Sequence, residues 1–171
     1  IFIENCDVTG GGTEGFIANN FVHLGTSGDS YGIETNSQGQ NICFNSVNIT
    51  DGGTYSYAFY SLTAGADFKN NILVNQAGGY AGFIVSAAED AFDYNNYYTD
   101  GSILVKVDGT EHYDLDEWYN AKPQFNENSL SELPKFKTDT NLHLVLPTMD
   151  SLGIPVSGIT EDIDGDARDS N

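Results

Sequence analysis

The feature that most restricts this chain is an internal period of 25 residues. Asn20, Asn45, Asn70 and Asn95 stand 25 apart, and each opens a run that superimposes on the others without a gap: NFVHL, NSVNI, NNILV and NNYYT. Two positions after the Asn come Val22, Val47, Ile72 and Tyr97, and four positions after it Leu24, Ile49, Val74 and Thr99. Between them lie His23, Asn48, Leu73 and Tyr98. Apolar residues at alternate positions describe a half-buried strand. A second strand follows each run after a turn rich in Gly, Ser and Asp: YGIET, YAFYS and GFIVS, centred on Ile33, Phe59 and Phe83. A third short apolar stretch precedes the Asn, as in FIAN, NICF and AFDY, although Asp67 interrupts the one in ADFK.

Two or three short strands and polar turns per period fit one rung of a β-solenoid. A single rung has no way to bury its apolar side, whereas stacked rungs close a continuous core and pair each backbone with the next. The recurring Asn suits such a stack, because a side-chain amide at a turn can bond to the same residue one rung away. The expected fold is therefore all-β, a right-handed parallel β-helix with rungs of about 25 residues. The rungs occupy residues 1–108, and an irregular closing segment of the same domain occupies 109–171. Val22, Val47 and Ile72 are expected to line one column. The opening IENCDV breaks the period, since Asn5 precedes Asn20 by 15: either a rung is truncated there or Asn5 belongs to another sheet.

Charge narrows the partners. Six Lys and Arg stand against 25 Asp and Glu, a formal net charge of −19. A nucleic-acid groove needs cations to neutralise phosphates, so that partner is disfavoured, and an acidic polysaccharide is a poor electrostatic match. Neutral glycans and divalent cations remain compatible. No apolar run reaches the ~20 residues of a membrane-spanning helix. Cys6 and Cys43 each sit in an apolar, strand-like run and read as buried free thiols, with a disulfide as the alternative.

After about Gly101 the repeat fades into one further strand pair, SILVKVDG, and then a helix-prone HYDLDEWYNAKPQF. There Asp114 is a plausible N-cap with Glu117 three residues on. Beyond lie Trp118, Asn128, Ser129, Pro134, Phe136, Leu142, His143, Leu144, Pro147, Asp150 and Gly153, then Asp162, Asp164, Gly165 and Arg168 in DIDGDAR. This succession resembles the C-terminal end of right-handed parallel β-helix repeat proteins of the pectin-lyase-like superfamily on Bacteroidota surfaces. The resemblance implies an extracellular or cell-surface location and, as partners, type IX secretion or surface-attachment machinery. In the resembled proteins a further strand usually follows the D-x-D-G-x-x-R element, and this chain opens inside a strand-like run. It therefore reads as a piece of a longer protein.

Polysaccharide lyases and hydrolases occur on this fold, so catalytic groups must be sought residue by residue. A lyase base would be Lys or Arg; Lys69 is the one Lys beside a leading Asn, and it reads more simply as a solvated charge. Asp67 and Asp93 hold nearly equivalent rung positions and could approach one another, as an inverting glycosidase requires at roughly 6.5–9.5 Å. No catalytic residue is assigned. His23, His112 and His143 lack a second ligand at metal spacing and read as structural. In DIDGDARD the carboxylates of Asp162, Asp164 and Asp166 alternate, with Asp169 beyond, which is how calcium loops gather oxygen ligands. Ca2+ is thus a candidate cofactor, against an ion pair of Arg168 with one of these acids. The binding candidates are aromatic. Tyr31 and Tyr57 begin equivalent strands, Tyr80 lies near the same place one rung later, and Tyr55, Tyr60, Tyr97 and Tyr98 add to them. Tyrosines stacked along a solenoid form a ladder on which sugar rings can lie, or one on which the rings simply shield each other. The sequence therefore points to a non-catalytic, adhesin-like or glycan-binding surface module; the alternative is the C-terminal part of a polysaccharide lyase or glycoside hydrolase with its catalytic rungs upstream.

Overall fold

Each rung turns on one strained residue. Asn19, Phe44, Asn70 and Tyr94 have φ of 58, 57, 58 and 57°, left-handed backbone that costs an L residue roughly 1–2 kcal/mol. Asn adopts it most readily; Phe44 and Tyr94 do so because the corner is held from the next residue. That next residue is always Asn. In the computed structural model, which describes residues 1–7, 15–88, 91–145, 149 and 152–168, Asn20, Asn45, Asn71 and Asn95 form a vertical amide ladder. Asn20 Nδ2 donates to Asn45 Oδ1 (2.8 Å), Asn45 Nδ2 to Asn71 Oδ1 (3.0 Å), and Asn71 Nδ2 to Asn95 Oδ1 (3.1 Å). Each lower Oδ1 also accepts the backbone N–H of the Asn above it (3.2, 3.1 and 2.9 Å). Thus the amide that satisfies the corner also fixes the register between rungs.

Three strands make a rung, and equivalent strands stack into three sheets. The first sheet contains β1 (Phe2–Glu4), β4 (Tyr31–Asn36), β7 (Tyr57–Ser61), β10 (Tyr80–Ile84), β13 (Val105–Val107) and β14 (Thr110–His112). The second contains β2 (Gly15–Ala18), β5 (Gln40–Cys43), β8 (Asp67–Lys69) and β11 (Ala91–Asp93). The third contains β3 (Phe21–Gly25), β6 (Ser46–Asp51), β9 (Ile72–Asn75) and β12 (Asn96–Thr99). Every pairing is parallel except β13 with β14, a hairpin whose turn residues Asp108 and Gly109 have φ of 50 and 80°. Two consecutive positive-φ residues are what a tight hairpin needs to match strand twist. The result is a parallel β-solenoid of about four turns. Asn5 follows β1 and so belongs with the first sheet, which explains why it ignores the ladder period.

Inward side chains form vertical columns. Ile17, Ile42, Phe68 and Phe92 run down the second sheet, and Val22, Val47, Leu73 and Tyr97 down the third. Burying each such side chain contributes about 1.5–3 kcal/mol. Ile72 does not continue the Val22–Val47 column as expected: it pairs with Ser46 and Asn96 and faces outward, and Leu73 takes the inward place. The ladder residues are spaced 25, 26 and 24 apart, so an extra residue falls between Asn45 and Asn71 and brings Asn71 rather than Asn70 into the ladder, and a one-residue slip exchanges the two faces of a strand. Val74 likewise faces outward opposite Asn48 and Tyr98. In the first sheet Gly82, not Phe83, sits beside Phe59 in the inward column. Asp67 and Lys69 flank buried Phe68, so the expected interruption is the outward half of an ordinary alternation. Cys43 is buried but Cys6 is exposed, and both are free thiols.

The last rung is sealed by α1 (Leu115–Ala121), whose N-cap Asp114 accepts from the Glu117 N–H at 2.8 Å. Trp118 is fully buried against Phe92 (5.7 Å between ring centroids) and Tyr97 (5.3 Å). The ladder ends on Ser129, whose Oγ accepts from Asn95 N–H at 3.1 Å. From Leu130, which bridges to Asn96 beside β12, the chain returns as a strap over the outer face of the third sheet. Asn96 Nδ2 donates to Glu132 O, Asn48 Nδ2 to Asp139 O, Asn70 Nδ2 to Ile154 O and Asn19 Nδ2 to Glu161 O. The closing segment therefore does two things, sealing one end and then covering one face. Among the described residues no helix is long and apolar enough to cross a membrane.

Candidate functional site

The outer face of the first sheet is aromatic. Tyr31, Tyr57 and Tyr80, at the starts of β4, β7 and β10, are in register and form one outward column. Beside it runs a second column of Phe2, Glu34, Tyr60, Phe83, Lys106 and Glu111, one residue per strand. Tyr57 is the hub. Its ring lies 5.4 Å from Tyr31, 5.3 Å from Tyr60, 5.3 Å from Tyr80 and 5.1 Å from Phe83, between centroids. All four are tilted or edge-on, the arrangements that ring quadrupoles favour, at about 0.5–1.5 kcal/mol per pair. The Lys106 ammonium stands 5.6 Å from the Phe83 centroid and 3.7 Å from Glu111.

Burial, then the neighbouring phenols, pushes the Tyr57 hydroxyl up to about 12. Burial also raises Tyr31, helped by Tyr60, Glu34 and Asp29, and raises Tyr80, helped by Glu111. All three thus remain neutral phenols, able to donate and accept hydrogen bonds, over the physiological range. Tyr57 is only 7% exposed, whereas Tyr31 is 40% and Phe2 61% exposed. The structure brings together the three tyrosines expected from the sequence and adds Phe83, which the spacing of strand centres had assigned to the core. Alternation about Phe83 could have revealed this, since its two neighbours Gly82 and Ile84 are the inward, buried residues. Tyr97 does not join the face; it is fully buried beneath the last rung.

The other candidates are engaged elsewhere. Asp67 pairs with Asn41 and Ala91 across strands, and Asp93 pairs with Lys69, so the two acids do not share a column. Asp67 instead holds the Lys69 ammonium at 2.9 Å. Asp93 is bound by Asn128, through its N–H (2.7 Å) and its Nδ2 (2.8 Å). In DIDGDAR the carboxylates do not converge: Asp162 Oδ1 accepts the N–H of Asp164 and of Asp166, both at 2.9 Å, and Asp164 Oδ2 meets His143 Nε2 at 2.7 Å. Among the described residues no group of three or more His, Cys, Asp or Glu is placed to hold a metal; Asp169, Pro147 and Asp150 lie outside them. Arg168 pairs with no carboxylate among the described residues. Its guanidinium lies 3.7 Å from the Phe44 centroid and donates to Asn19 Oδ1 (2.8 Å) and Glu161 O (3.2 Å), pinning the strap to the corners of the first two rungs. His143 packs edge-on to Phe21 at 4.8 Å, so it too belongs to the strap. Between strap and sheet lies a cleft of about 520 Å3, bordered by Ile72, Leu142, His143 and Arg168. Its flanking amides Asn70, Asn71, Asn95 and Asn96 are already bonded to the strap or the ladder.

Fold and faces together define a parallel β-solenoid with one strapped face and one aromatic face that the described part of the strap does not cover. Compared with protein-family models, curated proteins and solved structures, the chain matches none.

Proposed function

We propose that this chain is a non-catalytic, exported β-solenoid module, adhesin-like, whose aromatic face docks neutral glycans. The observation that carries the reading is the cluster of Tyr31, Tyr57, Tyr60, Tyr80 and Phe83 on a face that the strap leaves bare. Aromatic surfaces offer sugar rings an apolar platform, and phenols with nearby carboxylates offer partners for hydroxyls. Glu34, Asp29 and Glu111 border the cluster, and with a net charge of −19 they select against acidic polysaccharides. The acid and base candidates of the sequence are tied into ion pairs and amide contacts, which supports a binding role over turnover. The export reading rests on the resemblance of the C-terminal succession to surface β-helix proteins.

The test is binding of neutral and acidic polysaccharides by calorimetry, with Tyr31→Ala and Tyr60→Ala beside the parent. Each substitution should weaken neutral-glycan binding about tenfold, as expected when one stacking partner is lost, while circular dichroism stays unchanged. Binding that survives both substitutions would refute the docking face. Measurable cleavage of any polysaccharide would refute the non-catalytic reading.

A further inference from the structure

The strap contains two hairpins. In the first, over 135–145, Val145 N–H donates to Lys135 O (2.8 Å), Lys137 N–H to His143 O (2.9 Å) and Thr138 N–H to Asn141 O (3.2 Å). In the second, over 159–168, Asp162 N–H donates to Asp166 O (2.9 Å) and Arg168 N–H to Thr160 O (2.8 Å). Both border the cleft over the third sheet, the first through Leu142, His143 and Leu144, the second through Asp162, Ile163 and Arg168. His143 joins them. Its Nε2 lies 2.7 Å from Asp164 Oδ2 and its Nδ1 2.6 Å from Asn141 Oδ1, while the ring stands edge-on to Phe21 of β3. Both ring nitrogens therefore face oxygen. An ionised carboxylate only accepts, and the Asn141 amide has its oxygen turned to His143, because Oδ1 also accepts the His143 backbone N–H (3.3 Å). A neutral imidazole carries one N–H and serves one of these oxygens; the other contact then sets lone pair against lone pair. The imidazolium carries two and serves both.

We propose that His143 is a pH-sensitive latch on the strap: with a proton gained it clasps the second hairpin to the first over the cleft, and with the proton lost it lets the Asp162–Arg168 loop go. Histidine changes charge between about pH 5 and 8, so the latch works near neutrality. Closure takes up a proton, so it is favoured as pH falls and weakened as pH rises through that range. The side chains of His143 and Asp164 are 33% and 54% exposed, which lets water exchange that proton without prior opening of the strap. Among the described residues, the charged groups around the ring are Asp164 and Asp162 on the second hairpin, Lys137 opposite on its own hairpin and Arg168 on the cleft border, while β3 presents the uncharged Phe21.

The test is amide hydrogen exchange of the intact protein over 159–168, from about pH 5.5 to about pH 8. It is read as the ratio of the His143→Gln rate to the parent rate at each pH, which cancels the intrinsic pH dependence of exchange and the titration of His23 and His112. The ratio should be at least about threefold at the acid end, the size expected of an ion pair that solvent partly screens, and should fall to near one at the alkaline end. Asp164→Asn keeps an acceptor without the charge and should give the same fall, so the test stands even where His143→Gln disturbs its hairpin. In Asn141→Ala a neutral ring serves Asp164 without conflict, so at the alkaline end this variant should exchange more slowly than the parent. A ratio that does not change with pH overturns the proposal, because the Asn141 amide then turns over to donate. So does an Asn141→Ala variant looser than the parent at every pH, which marks a purely structural contact.

Discussion

Replacing Asn45 by Ala tests the ladder as the source of register. The side chain is 1% exposed. Its Oδ1 accepts from Asn20 N–H and Nδ2, and its Nδ2 donates to Ile17 O (2.8 Å), Cys43 O (3.2 Å) and Asn71 Oδ1 (3.0 Å). Alanine removes them all. Asn71 Oδ1 keeps the backbone N–H of residue 45, and Asn20 Nδ2 keeps Ala18 O, so neither is orphaned. The Asn20 N–H is left without its partner, and the Ile17 and Cys43 carbonyls lose a donor beside a side chain that is itself enclosed. A net hydrogen bond contributes about 1 kcal/mol and an orphaned buried group costs about 1–3 kcal/mol, so the expected loss is about 3 kcal/mol. Asn20→Ala removes bonds at the partly exposed end, where water can substitute, and should cost under about 1 kcal/mol. Urea unfolding reads both as midpoint shifts at constant slope, about 1–2 M for Asn45→Ala and a few tenths for Asn20→Ala. The double variant should show a coupling of at least about 0.5 kcal/mol. Equal costs at the two sites, or additivity between them, would refute the claim that the amides act as one ladder.

Two further outcomes follow from the strap and the aromatic face. Arg168→Ala removes the guanidinium from Phe44 and its bonds to Asn19 and Glu161. Limited proteolysis within 152–168 should quicken about tenfold or more with the far-ultraviolet spectrum unchanged, and Arg168→Lys should restore only part of the protection because ammonium neither stacks nor forks; an unaltered cleavage rate would show that the strap is held elsewhere. Stability should also fall in alkali. Tyr57 holds its proton up to about 12 in the folded protein against ~10 unfolded, so between those values the native state binds more protons. The stabilisation is complete below the lower value and is lost as pH rises towards the upper one. Melting temperature against pH reads it, and Tyr57→Phe should flatten the slope; an unchanged slope would remove Tyr57 as its cause.

The period was legible because one residue type serves one geometric need. Asn at the corner satisfies backbone groups that no strand partner reaches, so it recurs whatever the turns do. The phase of the third rung was not legible, because superposing rungs without gaps presumes equal lengths, and a solenoid absorbs an extra residue in a turn at little cost. The doublets Asn19–Asn20 and Asn70–Asn71 carried the missing signal: in each, the first residue takes the left-handed corner and the second enters the ladder. Taking Asn70 for the ladder residue slipped the rung by one, placing Ile72 inside and Leu73 outside. The strap was illegible for a different reason. Much of its hold on the sheet consists of bonds between the side chains of Asn19, Asn48, Asn70 and Asn96 and backbone atoms 36 to 142 positions away, and main-chain partners leave no trace in a sequence. The aromatic column was visible because Tyr31, Tyr57 and Tyr80 repeat with the rung. Phe83 was hidden by its apolarity, since an outward Phe and a core Phe read alike.

The two outer faces differ in how they deal with water. On the third sheet the outward columns mix Phe21, Ser46, Ile72 and Asn96 with His23, Asn48, Val74 and Tyr98, and the strap covers much of the apolar part by bonding to the polar part. On the first sheet the rings cover one another, and that suffices for Tyr57, enclosed by four neighbours. Self-shielding explains Tyr57 but not the rest of the face. Phe2 and Tyr31 remain 61% and 40% exposed, and a polar side chain at either place would spare the sheet that apolar surface without disturbing the core. A strap sequence able to cover one face could have covered the other. The aromatic edge, framed by Glu34 and Lys106 and left uncovered by the described part of the strap, is therefore the part of the solenoid whose chemistry stability alone does not require, and that is why the proposed glycan docking is placed there.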